Sequence, residues 1–173
     1  MNTASVIDMG KGKASVPETL TQFKKMFNNL SSGNIRDIRD VYSDDVTFQD
    51  PFSKVEGIDE LTEYFSGAYE KVISCKFDFS DPVINGPDVC IPWIMRLRHK
   101  RIRNGHQVNV DGISQLTIHG GKVTHHRDYF DVGQLLYENL PVLGKAIRWI
   151  RNQAGFFLDM LGYRIHVPDY AEL

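Results

Sequence analysis

Cysteine is scarce in this chain: Cys75 and Cys90 are its 2 thiols in 173 residues. That number builds no disulfide framework, and no Cys/His spacing suited to a metal accompanies them. Long apolar runs are missing too. The longest, Val89–Met95, contains Pro92 and is far shorter than the ~20 residues a bilayer-spanning helix needs. Nor is there an excess of charge of one sign. Lys and Arg number 20 against 22 Asp and Glu, a net charge of −2, so no global field calls for nucleic acid, an anionic membrane or an acidic substrate. The first residues lack the charged-then-apolar pattern of a secretory leader. These absences lead us to expect a soluble, cytoplasmic protein. What is present agrees: 42% apolar and 24% charged residues match an ordinary globular domain, and the length suits one.

Residues 1–14 show no periodicity and read as a mobile arm. Ser15 and Glu18 then fit a capping box with Pro17 in the first turn, a helix start. Leu20, Phe23, Phe27 and Leu30, with Met26 beside them, fall at helical spacing. Gly33 ends that helix, and Asn34 is placed to cap a short second one carrying Ile35, Ile38, Val41 and Tyr42. Val46, Phe48 and Asp50 share one face of a strand that Pro51 closes. A third helix is predicted over about Asp59–Val72, then a strand in which Cys75, Phe77 and Phe79 alternate with polar residues. Three long strands follow: Val89–Arg103, Gln107–Ile118 and Lys122–Asp131. Asn104-Gly105 predicts a two-residue type I′ turn between the first two. After Val132 the pattern turns helical and remains rich in apolar residues, too rich for a solvated tail.

Helices first and antiparallel hairpins second argue for an α+β domain. Residues 15–131 form its body, and residues 132–173 are expected to dock on it as a helical extension.

Tyr42-Ser43-Asp44-Asp45-Val46-Thr47-Phe48-Gln49-Asp50-Pro51, Gly57-Ile58-Asp59-Glu60-Leu61, and Gly121-Lys122-Val123 followed by Arg127-Asp128-Tyr129-Phe130-Asp131 resemble the SnoaL-like branch of the nuclear transport factor 2 superfamily. The resemblance covers about Pro17 to Asp131. It implies a cone: a strongly bent antiparallel sheet wrapped around the N-terminal helices, enclosing an apolar pocket. It also implies a homodimer as a frequent state. Fold alone leaves function open among isomerases, cyclases, hydrolases, dehydratases and binding modules.

Candidate site residues follow from parity and from what the resemblance implies. Asp50 points where Val46 and Phe48 point, and a carboxylate in an apolar pocket becomes a useful base; Asp-Pro is equally a turn starter. Asp50 matches the proton-shuttling aspartate of ketosteroid isomerase, but the positions of that enzyme's oxyanion donors hold Met26 and Ser114. Asp128 matches a catalytic aspartate of limonene epoxide hydrolase, yet the rest of that set is replaced by Met95, Leu97, Asp50 and Phe48. Asp128 is open to a salt bridge or a Tyr hydrogen bond instead. His126 shares its face and offers a proton relay, or else is a polar neighbour at the cone mouth, whereas His125 points the other way. Met26, Phe48, Phe65, Trp93, Met95, Leu97, Ser114, Leu116 and Phe130 are the expected pocket lining. The basic run Arg96–Arg103 has no interleaved aromatic for base stacking and reads as a solvated rim.

We therefore expect a small, mostly apolar molecule as ligand, with no metal, no cofactor, no nucleic acid and no membrane surface. Acid–base turnover by Asp50, Asp128 and His126 stands against two alternatives, a binding module without turnover and a dimerising module.

Overall fold

The structure, a computed structural model, describes residues 14–136, together with Trp149 and Gln153. The expected N-terminal arm and most of the C-terminal extension lie outside the described residues.

Helix α1, Val16–Asn29, starts at the predicted capping box. The Glu18 N–H donates to Ser15 Oγ at 3.4 Å, and the Ser15 N–H donates to the Glu18 carboxylate at 2.7 Å. Leu20, Phe23, Met26 and Phe27 form its buried face. A 3-10 helix, Ile35–Asp40, follows. Asn34 does not cap it through its side chain, which instead accepts from the Ser31 N–H and donates to Asp37. Tyr42 is not helical as expected but begins strand β1, Tyr42–Gln49. Strand β2, Lys54–Glu56, returns after Pro51. Helix α2, Ile58–Tyr69, begins after Gly57, whose φ of 86° suits glycine and whose N–H donates to the Val46 carbonyl at 2.7 Å. Strands β3 (Val72–Phe79), β4 (Val83–Asn85), β5 (Asp88–His99), β6 (Val108–His119) and β7 (Lys122–Phe130) complete the sheet. Asp131 then caps the short helix α3, Val132–Leu135, accepting from the N–H groups of Gly133 and Gln134 at 2.7 and 3.2 Å.

The seven strands make one open, curved sheet in the order β2-β1-β7-β6-β5-β3, with β4 paired to β5. The expected all-antiparallel sheet needs correction: β1 and β7 run parallel, with Phe48 beside His126 and Gln49 beside Arg127. Most of the chain separates β1 from β7, so no tight turn joins the two and their parallel pairing is allowed.

The β5–β6 turn also differs from expectation. Pairing ends at Leu97 and Val108, and residues Arg103–Gly105 form a 3-10 turn with Arg103 and Asn104 at φ of 48° and 54°. A two-residue turn at Asn104-Gly105 would have set Leu97 opposite Gly112. The shift spans an even number of residues, so every side chain keeps its face.

Both longer helices pack on the concave side. Phe23 against Phe79 and Phe27 against Phe77 join α1 to β3, and Phe48 against Phe65 joins β1 to α2. The opposite face of the sheet carries Ile94 and Tyr129, each 42% exposed. Among the described residues, no helix is long and apolar enough to cross a membrane.

Candidate functional site

Between the helices and the sheet lies a cavity of about 230 Å³. Its β5 wall is the period-two stripe Trp93, Met95, Leu97 and His99, and Phe48, Phe65 and Phe130 line it from β1, α2 and β7. Asp50 and Asp128 line the same cavity. They are brought together by the parallel β1–β7 pairing, since each stands one residue beyond the last paired positions, Gln49 and Arg127.

Three expected lining residues lie elsewhere. Met26 and Leu116 are buried in the core away from the cavity wall. Ser114 borders a neighbouring small void with Phe23, Phe27, Trp93 and Asp128. His126 is not at a cone mouth. It is fully buried, enclosed by the rings of Phe23, Phe27, Tyr42 and Phe48 at centroid distances of 5.0–6.0 Å.

Burying a histidine so deeply requires that both ring nitrogens find partners. They do. Nδ1 lies 2.7 Å from the Tyr42 hydroxyl, and Nε2 lies 2.8 Å from Asp128 Oδ1. The same Oδ1 accepts from Ser114 Oγ at 2.5 Å, and Ser114 Oγ accepts from Trp93 Nε1 at 2.9 Å. With Asp128 as a carboxylate, one assignment satisfies all four links. Tyr42 donates to Nδ1, His126 donates through Nε2–H, Ser114 donates its hydroxyl proton, and the indole donates to Ser114. The chain of bonds crosses β1, β7, β6 and β5. Gly112 makes the last link possible. It faces Trp93 across the β5–β6 ladder, and a Cβ there would stand 2.2 Å from the indole. The ring lies over bare backbone and so reaches Ser114.

Asp50 is held differently. Oδ1 accepts from the N–H groups of Phe52 and Ser53, both at 2.8 Å, and Oδ2 accepts from the Tyr64 hydroxyl. The turn reading and the pocket reading of Asp50 thus both describe it: the backbone bonds close the β1–β2 turn while the residue faces the cavity.

Burial governs the titration of the other lining groups. Burial, then the hydrogen bond to Asp50 and the charges of Asp50 and Asp128, raise Tyr64 well above the usual phenol range. Burial first, and the charge of Asp128 second, raise Tyr42; burial likewise raises Tyr69. The Cys75 thiol is pushed up to about 11 by burial, so it is a neutral wall group at pH 7 rather than a nucleophile. His99 is lowered by burial and by the Arg101 and Lys71 cations. Among the described residues, no three His, Cys, Asp or Glu side chains gather as metal ligands.

Sequence reasoning overlooked Tyr42, the Asp50–Tyr64 contact, Gly112 and His99. A glycine at the centre of an alternating strand, Val110-Asp111-Gly112-Ile113-Ser114, was the available signal of a close approach.

A SnoaL-like domain model matches residues 23–126. No curated protein matches. Among solved structures, one similar chain is a Catenulispora acidiphila protein with a ketosteroid isomerase-like fold, solved with trimethylamine. It is 15% identical, with a TM-score of 0.63 over 72% of this chain and 94% of that one. A SnoaL-like chain from Jannaschia, a candidate polyketide cyclase, is 14% identical, with a TM-score of 0.60 over 73% and 95%. An epoxide hydrolase of the limonene type from M. tuberculosis is 15% identical, with a TM-score of 0.57 over 83% and 96%. At these identities the likeness is one of fold.

Proposed function

The chain belongs to the SnoaL-like domain family, and from that premise we propose that it binds a small, mostly apolar molecule in its cavity and moves a proton on it by acid–base chemistry. The observation that carries this reading is the pair of carboxylates, Asp50 and Asp128, on one otherwise largely apolar cavity. Asp128 acts as the base. The imidazole Nε2–H and the Ser114 hydroxyl fix its orientation, and Tyr42 holds His126 in the tautomer that donates to it. A proton taken by Asp128 is returned at another atom of the same molecule, which is isomerase, dehydratase or cyclase chemistry, or serves hydrolysis if water enters. Asp50 and Tyr64 form the second acid–base pair. Tyr64 keeps its proton because burial and the nearby carboxylates oppose its loss, so it remains a donor.

A panel of lipophilic epoxides, enones and hydroxy-ketones tests the reading, with product formation followed by mass spectrometry and binding followed by quenching of Trp93. Asp128→Asn should lower turnover by ~100-fold or more while Trp93 still reports binding. Unchanged turnover in that variant would overturn the assignment of the base. A second reading, binding without turnover, has its own support: both oxygens of Asp50 are already engaged by Phe52, Ser53 and Tyr64. A wild-type chain that binds the panel and converts none of it establishes that reading instead.

A further inference from the structure

We infer that the ligand carries one anionic group on an apolar body, with the anion seated at the end of the cavity away from the two carboxylates. The inference rests on the cavity being the ligand site proposed above.

The β5 wall has two unlike ends. Trp93 stands at the carboxylate end, tied to Asp128 through Ser114. Met95 and Leu97 continue the same face, and His99 closes it. At ~3.3 Å per residue, His99 lies roughly 20 Å along the strand from Trp93. Ile102 lines the cavity beside it.

The surroundings of His99 are built for an anion. Its Nδ1 accepts from the Arg101 N–H at 3.2 Å, so the ring proton resides on Nε2 and is available as a donor. Lys71 is tied to the same end, since its carbonyl accepts from the Lys100 N–H at 3.0 Å. The Arg101 and Lys71 cations both act on the imidazole and disfavour its charging. The one carboxylate paired at this end is that of Glu70, exposed and 3.5 Å from Lys71 Nζ. Among the described residues, no carboxylate pairs with Lys100 or Arg101. An imidazole that lines the cavity thus carries its ring proton on Nε2, with the Arg101 and Lys71 cations acting on it. An anion gains a hydrogen bond and a favourable field there, without a bare cation lining the apolar wall. At the other end Asp50 and Asp128 repel the same anion. The two ends together orient the ligand and place its uncharged part against Asp128. The basic run Arg96–Arg103 is therefore divided. Arg96 pairs with Asp78, and Arg98 Nε donates to the Gly105 carbonyl at 3.0 Å, while His99 and Arg101, with Lys71, form the anion end.

Calorimetric titration of the full chain with 1-naphthaleneacetate and with its uncharged amide tests the inference. The acetate should bind roughly tenfold tighter than the amide at low ionic strength, and the gap should narrow as salt is added. Substituting both cations that act on His99, Lys71→Gln with Arg101→Gln, should bring the acetate down to the amide's affinity. Met95→Trp, which fills the cavity, should abolish both; acetate binding that survives it lies elsewhere and overturns the inference. An amide that binds as tightly as the acetate, or a gap that persists in the Lys71/Arg101 variant, overturns this inference and leaves the cavity reading standing. If neither compound binds the wild-type chain, both fall.

Discussion

Asp50 and Asp128 each stand one residue past the last paired positions of neighbouring parallel strands and line one cavity, yet they are held by opposite means. Asp50 is fixed locally, by two backbone N–H groups of its own turn and by one hydroxyl from α2. Asp128 is fixed by side chains from three other strands, through a buried histidine and a serine. The local arrangement survives almost any change in the core, because a turn supplies it. The network depends on the core being intact, and in return it presents a carboxylate of defined orientation at the edge of an apolar space. Polar networks of this kind carry high stakes: complete, they rigidify the site, and broken, they leave buried groups without partners.

The largest expected effect comes from breaking the network at its centre. His126→Ala strips Tyr42 and Asp128 of their shared partner and empties a space among Phe23, Phe27 and Phe48. Urea unfolding should show a loss of about 3–5 kcal/mol. A loss below ~1 kcal/mol would mean that the network does not hold the interior.

Cys75 sharpens the comparison from another side, as a titratable group on the same cavity held mainly by burial. Its thiol rises from an ordinary 9.0 to about 11. A raised folded-state pKa means that the folded chain holds the proton more tightly. The stability this contributes is full below pH 9 and is lost as pH climbs towards about 11. The total is about 2–3 kcal/mol. Unfolding measured between pH 8 and 11 should decline less steeply for Cys75→Ala than for wild type. Tyr42 and Tyr64 weaken both proteins alike, whereas Tyr69 is coupled to Cys75, so the difference between the curves reports the Cys75–Tyr69 pair, and parallel curves would refute the assignment.

The smallest effects test the comparison most directly. Asp128→Asn removes the charge from two charge-assisted hydrogen bonds and should cost about 1–3 kcal/mol. Asp50→Asn keeps an amide oxygen for Phe52 and Ser53 and turns its amide nitrogen to the Tyr64 hydroxyl, which is able to accept, and should cost only about 0.5–1 kcal/mol. Equal losses at the two positions would erase the distinction between a turn-held and a network-held carboxylate.

Much of this arrangement was legible beforehand. The capping box at Ser15, the helical face of Phe23 and Phe27, and the alternation of Trp93, Met95 and Leu97 rest on local chemistry, and the elements follow them. Asp50 could be placed on the cavity side by parity with Val46 and Phe48, because the strand period of two does not depend on which strand lies next door, and Asp128 by the family resemblance of its strand. Even the misjudged turn at Asn104-Gly105 did no harm to the site, since the register moved by an even number of residues. Tyr42 was misjudged for the opposite reason. Apolar spacing continued smoothly from Ile35 and Ile38, and nothing local marks the point at which the 3-10 helix stops and β1 begins. Leu116 was given the right side of the sheet and Met26 the buried face of its helix, but neither reaches the cavity, because periodicity and resemblance report a direction and carry no measure of how far the cavity extends.

By itself, then, the sequence determined the elements, their buried faces and the identity of the two acidic residues that could share a pocket, because turn chemistry, capping and periodicity act over a few residues. Only the tertiary structure decided which neighbours those residues acquire. The parallel pairing of β1 with β7, which sets Asp50 beside Asp128, joins positions at opposite ends of the domain. The Tyr42–His126–Asp128–Ser114–Trp93 chain needs four strands in one register, and it needs Gly112 bare beneath an indole. Such contacts are fixed by long-range pairing and by the demand that every buried polar atom find a partner. Neither condition is written in any short stretch of the chain.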